Sequence, residues 1–69
     1  MSKEMEFYIY LLEKYSEYKG VSTTYVINKL SKLNLEELVY GMYEKYHTES
    51  IINAFDDIDN LILEKENSL

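Results

Sequence analysis

The stretch that decides the fold is residues 2–20, SKEMEFYIYLLEKYSEYKG. Ser2 is a good helix N-cap, and glutamates follow in the first turn, where the helix dipole favours anions. Gly20 supplies the left-handed residue that ends many helices. Between them, apolar residues recur at helical spacing in two stripes. One stripe is Met5, Ile9, Leu12 and Tyr15, and the other is Phe7, Leu11 and Tyr18, with Tyr8 between them. The stretch predicts a helix over residues 3–19.

The two middle segments predict two shorter helices. Ser22 is a second N-cap, and the spacing of Val26, Ile27, Leu30 and Leu33 predicts a helix over residues 23–33. Asn34 is expected to end that helix and to cap the third, with Glu37 at the spacing of a loose capping box. The third helix is predicted to run from Leu35 to Tyr46. Gly41 lies inside it and is interpreted as permitting close helix packing.

The last segment predicts a fourth helix that begins near Thr48 and Glu49. Its apolar stripe consists of Ile51, Ile52, Phe55, Ile58, Leu61 and Ile62. The polar segment from residue 64 onward is expected to fray. Linkers this short make neighbouring helices turn back on each other. The sequence therefore predicts an all-α fold, a small bundle of about four helices built as two αα-hairpins. It forms a single helical domain over residues 1–66, with a frayed tail at 67–69.

Composition excludes several classes of protein. The chain has 69 residues and a formal net charge of -6, with no Cys and no Pro. Without Cys there is no disulfide framework and no thiolate metal site. No stretch approaches the roughly 20 apolar residues of a membrane span. Lys3, Glu4 and Glu6 interrupt any apolar region after the first Met, so no secretory signal is expected. The predicted location is cytoplasmic.

The residues that chemistry would need are sparse, and no enzyme, cofactor or metal site is predicted. His47 is the sole histidine and falls between the third and fourth helices, where we expect it to cover the last carbonyls of the third or to bond locally in the turn. A glycine-rich phosphate loop is absent. Asp56, Asp57 and Asp59 suggest a hard cation, but helix geometry points them apart, so we interpret them as a solvated face.

A DNA-binding interpretation is the weakest alternative. Residues 22–46 could form a helix–turn–helix with Asn34 at the turn. The helix that would enter the groove begins with Leu35, Glu36 and Glu37, whose carboxylates would face phosphates. The chain also has no Arg to read guanine. Nucleic acid is therefore not expected as a partner of the chain on its own.

Tyrosine is the informative excess, with eight residues in 69. Tyr can complete a small core, and it is also enriched where proteins meet partners. Apolar side chains cover more than one stripe of the first helix, which suggests surface left over for a second copy or another protein. The candidate interaction residues are Phe7, Tyr8, Leu11, Tyr15, Tyr18, Tyr43 and Tyr46.

The chain resembles a short uncharacterised bacterial family over nearly its whole length. The residues that carry the resemblance are Phe7-x-x-Tyr10 with Leu12, Glu13 and Tyr15, then Ser22, Tyr46-His47-Thr48 and Asp56-Asp57-Ile58-Asp59. Members of that family are small, acidic and helical. Their genes often lie beside one for a larger protein that resembles an ADP-ribosyltransferase. Glu49-Ser50 departs from the glycine or glutamine turn of many members. The resemblance supplies no catalytic residues.

The expected function is that of a non-catalytic protein-interaction module. The resemblance implies an antitoxin-like or regulatory partner of a larger, toxin-like enzyme. A small acidic protein suits that role, because complementary charge speeds its encounter with a basic target. A self-associating structural domain, in the form of a homodimer, is the alternative from a different class.

Overall fold

A computed structural model describes residues 1–68 of the chain and contains five helical segments. They are α1 (Lys3–Lys19), α2 (Thr23–Lys32), α3 (Glu36–Tyr40), α4 (Tyr43–Tyr46) and α5 (Ile51–Asn67). Helix α1 packs against each of the other four. The predicted small all-α bundle is confirmed, with the third predicted helix divided into α3 and α4. No helix within the described residues has both the length and the apolar content to cross a bilayer.

The ends of α1 and the start of α2 follow the predictions from the sequence. The Ser2 side chain accepts a hydrogen bond from the backbone N–H of Met5 at 3.1 Å. Gly20 is left-handed, with φ of 71°, and the Val21 N–H returns to the carbonyl of Ser16 at 3.0 Å. This is the pattern of a Schellman cap. Ser22 caps α2 by accepting from the N–H of Tyr25 at 3.0 Å.

The third predicted helix differs most from the structure. Asn34 ends α2 in the left-handed region, with φ of 58°, and the next N–H, of Leu35, donates back to Leu30. Leu35 then precedes α3 with no side-chain cap, so the predicted capping box of Asn34 and Glu37 is wrong. Asn can adopt the extended backbone of a helix N-cap or the left-handed backbone of a helix end. Here Asn34 takes the left-handed conformation at the C-terminus of α2.

The break between α3 and α4 lies at Gly41 and Met42. Both keep right-handed backbone angles, but the Met42 N–H donates to Val39, three residues back, instead of four. A Cβ at Gly41 would meet backbone oxygens of Glu37 and Leu38 at 3.4 and 3.6 Å and no atom of another helix. The predicted role of Gly41 in close helix packing is therefore wrong.

Helix α5 begins and ends later than the sequence predicts. Ser50 precedes it, two residues after Thr48, and the helix continues to Asn67. The polar segment after residue 64 is therefore largely helical. Fraying of the tail stays a prediction, and Leu69 lies outside the described residues.

One core fills the space where the helices meet. Phe55 and Ile58 are buried in it, as predicted for α5. Ile27 and Ile52 are exposed, so their assignment to the buried stripes is wrong. The other core members are Leu11, Leu12, Tyr15, Val26, Leu30, Leu33, Leu35, Val39, Met42, Tyr46 and Ala54. The radius of gyration is 11.3 Å, close to the roughly 11 Å expected for a compact chain of this length.

Candidate functional site

Three of the predicted interaction residues belong to the core. Leu11 is 0% exposed, and Tyr15 and Tyr46 are each 4% exposed. Leu11 and Tyr15 belong to α1, which packs against each of the other four helices, and Tyr46 joins the same core from α4. In this fold the three side chains are enclosed by the chain's own helices, and their part in an interaction stays a prediction.

The other four candidates lie nearer the surface but already contact aromatic neighbours. Phe7 packs edge-on against Tyr43, with 5.8 Å between ring centroids. Tyr43 in turn stacks on His47 at 4.3 Å. Tyr18 is exposed and lies against Phe55, at 5.0 Å. The fourth, Tyr8, is half-buried and contacts Tyr40 across α1 and α3. Whether any of them binds a partner stays a prediction.

Several exposed apolar side chains border a groove between α2 and α5. We call it the α2–α5 groove; it has a volume of about 500 Å³. Three of its side chains are exposed apolar residues: Val21 at 38%, Tyr25 at 52% and Leu63 at 57%. The remaining lining residues are Tyr15, Lys19, Val26, Lys29, Asp59, Ile62 and Glu66. Sequence reasoning missed this groove, since its walls come from separate helices.

Two ion pairs line the groove. Lys19 Nζ lies 3.2 Å from Asp59, and Lys29 Nζ lies 3.0 Å from Glu66. The Glu66 carboxylate accepts a hydrogen bond from Lys29 and raises the pKa of the lysine. Because each lysine faces a carboxylate, the four side chains contribute no net charge. The other side chains that line the groove are apolar or aromatic.

The acidic cluster of α5 does more than face solvent. The Tyr15 hydroxyl donates to Asp59 at 2.5 Å, and the Tyr46 hydroxyl donates to Asp57. Burial, then the hydrogen bond to Asp59, raises the pKa of Tyr15. The hydrogen bond to Asp57 is the main cause of the raised pKa of Tyr46. Asp57 and Asp59 therefore attach α5 to α4 and α1, and only Asp56 fits the predicted solvated face.

His47 and the acidic side chains are the other polar candidates. His47 Nδ1 lies 2.6 Å from the carbonyl oxygen of Tyr43, which matches its predicted role at the end of the third helix. Across residues 1–68, no group of three His, Asp or Glu side chains is placed to hold a metal ion. The segment that would act as a DNA-recognition helix, α3, has five residues and begins with Glu36 and Glu37.

Comparison with known proteins identifies the family. A family model described as a protein of unknown function (DUF3791) matches residues 6–65. The match covers most of the chain, which therefore belongs to this family. No curated protein and no solved structure matches it.

Proposed function

We propose that this member of the DUF3791 family is a non-catalytic protein-interaction module whose α2–α5 groove binds a larger protein. The observation that carries the proposal is the grouping of Val21, Tyr25 and Leu63 at one concave surface. Single exposed apolar residues are ordinary on protein surfaces. Several around one groove are typical of a binding site.

The shape and chemistry of the groove favour a protein segment as occupant. Its apolar walls alternate with the Lys19–Asp59 and Lys29–Glu66 pairs, which can exchange hydrogen bonds with a bound main chain. Tyr25 offers a rigid ring that loses little entropy on binding. A partner helix or extended segment with apolar anchors would cover Leu63 and Tyr25 together.

Charge supports a basic partner. The formal net charge is -6, and four of the seven lysines are paired with carboxylates of the same chain. The acidic side chains that remain leave the surface negative, which would attract a positively charged partner over a distance of about 8–10 Å at physiological salt. We propose an antitoxin-like or regulatory role in the bacterial cytoplasm. The transferase-like protein that the family resemblance implies is the first partner to test.

The test is co-expression with the product of the neighbouring gene, followed by purification and a binding isotherm. Leu63→Ser should weaken the complex about tenfold or more, because it removes an apolar anchor worth roughly 1.5–3 kcal/mol when buried. Leu38→Ser is the matched control, since Leu38 is also 57% exposed and lies outside the groove. Equal effects of the two variants, or no complex at low salt, would refute the proposal.

Sedimentation at micromolar concentration separates this function from self-association. We expect the chain alone to sediment as a monomer, with or without Leu63→Ser. A dimer of the wild-type chain that Leu63→Ser dissociates would assign the groove to a second copy and overturn the proposed partner.

A further inference from the structure

The lysines of this chain follow a recurring arrangement with tyrosines and carboxylates. Four of them lie over a tyrosine ring and also pair with a carboxylate. The ammonium-to-centroid distances are 5.8 Å for Lys14 over Tyr10, 5.9 Å for Lys19 over Tyr15, 5.8 Å for Lys29 over Tyr25 and 5.1 Å for Lys45 over Tyr46. The paired carboxylates, in the same order, belong to Glu17, Asp59, Glu66 and Asp57.

In each of the four arrangements the lysine ammonium group makes two favourable interactions. The ring face attracts the ammonium group through the aromatic quadrupole, and the carboxylate attracts it by charge. The alkyl stem of the lysine also covers apolar ring surface. A tyrosine ring beside a carboxylate is therefore the setting of four of the seven lysines.

One further site has the rings and the carboxylates without the lysine. Tyr8 of α1 and Tyr40, at the end of α3, have ring centroids 5.5 Å apart and planes tilted by 56°. With Glu36 and Glu37 they line a recess of about 410 Å³. Within residues 1–68, neither glutamate makes an ion pair and no lysine lies over either ring.

The electrostatic setting of this recess suits a cation. Both rings and the Glu36 side chain are half-buried, so charge there is less screened than on an open surface. Burial and the negative charge of Glu36 both raise the pKa of Tyr8, which keeps its hydroxyl neutral beside the carboxylate. Glu36 and Glu37 thus present uncompensated negative charge next to two aromatic faces.

We propose that the Tyr8–Tyr40 recess receives a lysine or arginine side chain from the protein that the module binds. The partner would complete in trans the arrangement that four lysines complete within the chain. Ring faces offer no lone pairs to a metal ion, whereas an alkyl stem or a guanidinium plane can cover them. The source of the cation rests on the proposed function; the chemistry of the recess does not.

The recess can be tested without the partner, by NMR titration of the labelled protein. The probes are Nα-acetyl-lysine N-methylamide and Nα-acetyl-arginine N-methylamide, with the corresponding citrulline derivative as a neutral isostere of arginine. We expect both cations to shift the Tyr8 and Tyr40 ring signals in a saturable way. Citrulline should bind at least about fivefold more weakly, because it keeps the shape and loses the charge.

Variants that remove one carboxylate charge test whether the cations bind at the recess. Glu36→Gln and Glu37→Gln should each weaken cation binding about threefold to tenfold, while both keep the size of the side chain. Glu44→Gln is the control, since Glu44 lies in the first turn of α4 and lines no part of the recess. Shifts of equal size with citrulline, or losses as large in Glu44→Gln as in Glu37→Gln, would overturn the proposal.

The two proposals fail in different ways. If the probes bind the recess but no complex with a larger protein forms, the proposed function fails and the recess stands as a cation site. If the complex forms and depends on Leu63, but Glu36→Gln with Glu37→Gln leaves its affinity within twofold of the wild type, the groove stands and the recess proposal is wrong.

Discussion

The hydrogen bond from Tyr15 to Asp59 links α1 and α5, which are far apart in the sequence. Its removal measures how much this contact between the two helices contributes to stability. Tyr15 is a core residue, and its hydroxyl donates to Asp59 at 2.5 Å. Asp59→Ala removes the acceptor and leaves that hydroxyl to find water at the edge of the groove. Loss of one partner of a buried hydrogen bond costs about 1–3 kcal/mol. The Asp59 side chain is 37% exposed, so we expect the lower part of that range, about 1–2 kcal/mol.

The expected loss is large for a domain of this size. A change of 1 kcal/mol shifts the melting temperature of a 60–100-residue domain by about 4–8 °C. Asp59→Ala should therefore lower the melting temperature by about 4–16 °C. Its ion pair with Lys19 adds little, because both side chains are well exposed.

A double-mutant cycle assigns the loss to the hydrogen bond. Tyr15→Phe and Asp59→Ala are measured singly and together by urea unfolding, and we expect a coupling energy of about 1 kcal/mol. Asp56→Ala is the control, because Asp56 is an exposed residue of the same helix. Both aspartate substitutions gain the same intrinsic helix propensity, which cancels in the comparison.

Two results would refute the reasoning. One is an Asp59→Ala protein as stable as Asp56→Ala. The other is additivity within about 0.3 kcal/mol of the two single substitutions in the cycle, which would show that the hydroxyl and the carboxylate act independently.

Three further predictions concern packing, backbone and pH. Phe55→Ala should cost about 3–5 kcal/mol in urea unfolding, and Ile52→Ala on the exposed side of α5 under about 0.5; equal losses would show that the buried face of α5 is misassigned. Gly41→Ala should stabilise the protein by about 0.4–1 kcal/mol, because the Gly41 backbone is right-handed and a Cβ fits there. Gly20→Ala should destabilise it by about 1 kcal/mol, because the φ of Gly20 is 71°. Thermal melts check both substitutions, and a Gly41→Ala protein less stable than the wild type would contradict the first. The raised pKa of Tyr46 means that the unfolded chain loses this proton first as pH rises above about 10. Stability should therefore be full below that pH and fall above it, less steeply in Tyr46→Phe; urea midpoints that stay level between pH 9 and 11 would be inconsistent with this.

The sequence was most informative where the structure is locally determined. The ends of α1 and the start of α2 depend on hydrogen bonds within a few residues of Ser2, Gly20 and Ser22, so residue type alone places them. Asn34 shows the limit of local reasoning, since it suits a helix start and a left-handed helix end equally. Its role follows from the N–H of Leu35 reaching Leu30, a geometry that residue preferences do not distinguish.

Periodicity identified the apolar face of α1 but not what covers it. A wide apolar stripe is expected both for a helix that faces a partner and for one that lies among its own neighbours. Here α1 contacts all four other helices, so Leu11 and Tyr15 are buried within the chain. The pairing of Tyr15 with Asp59 joins residues 44 apart, and no local pattern signals it.

The tyrosine excess has an explanation within the chain, which changes what supports an interaction function. Every one of the eight tyrosine rings lies against another aromatic ring or beneath a lysine of the same chain. Abundance of tyrosine is thus no evidence for a partner. The case rests on what remains unmatched: apolar side chains at the α2–α5 groove and carboxylates beside Tyr8 and Tyr40. A partner that presents an apolar anchor and a cation would satisfy both at once.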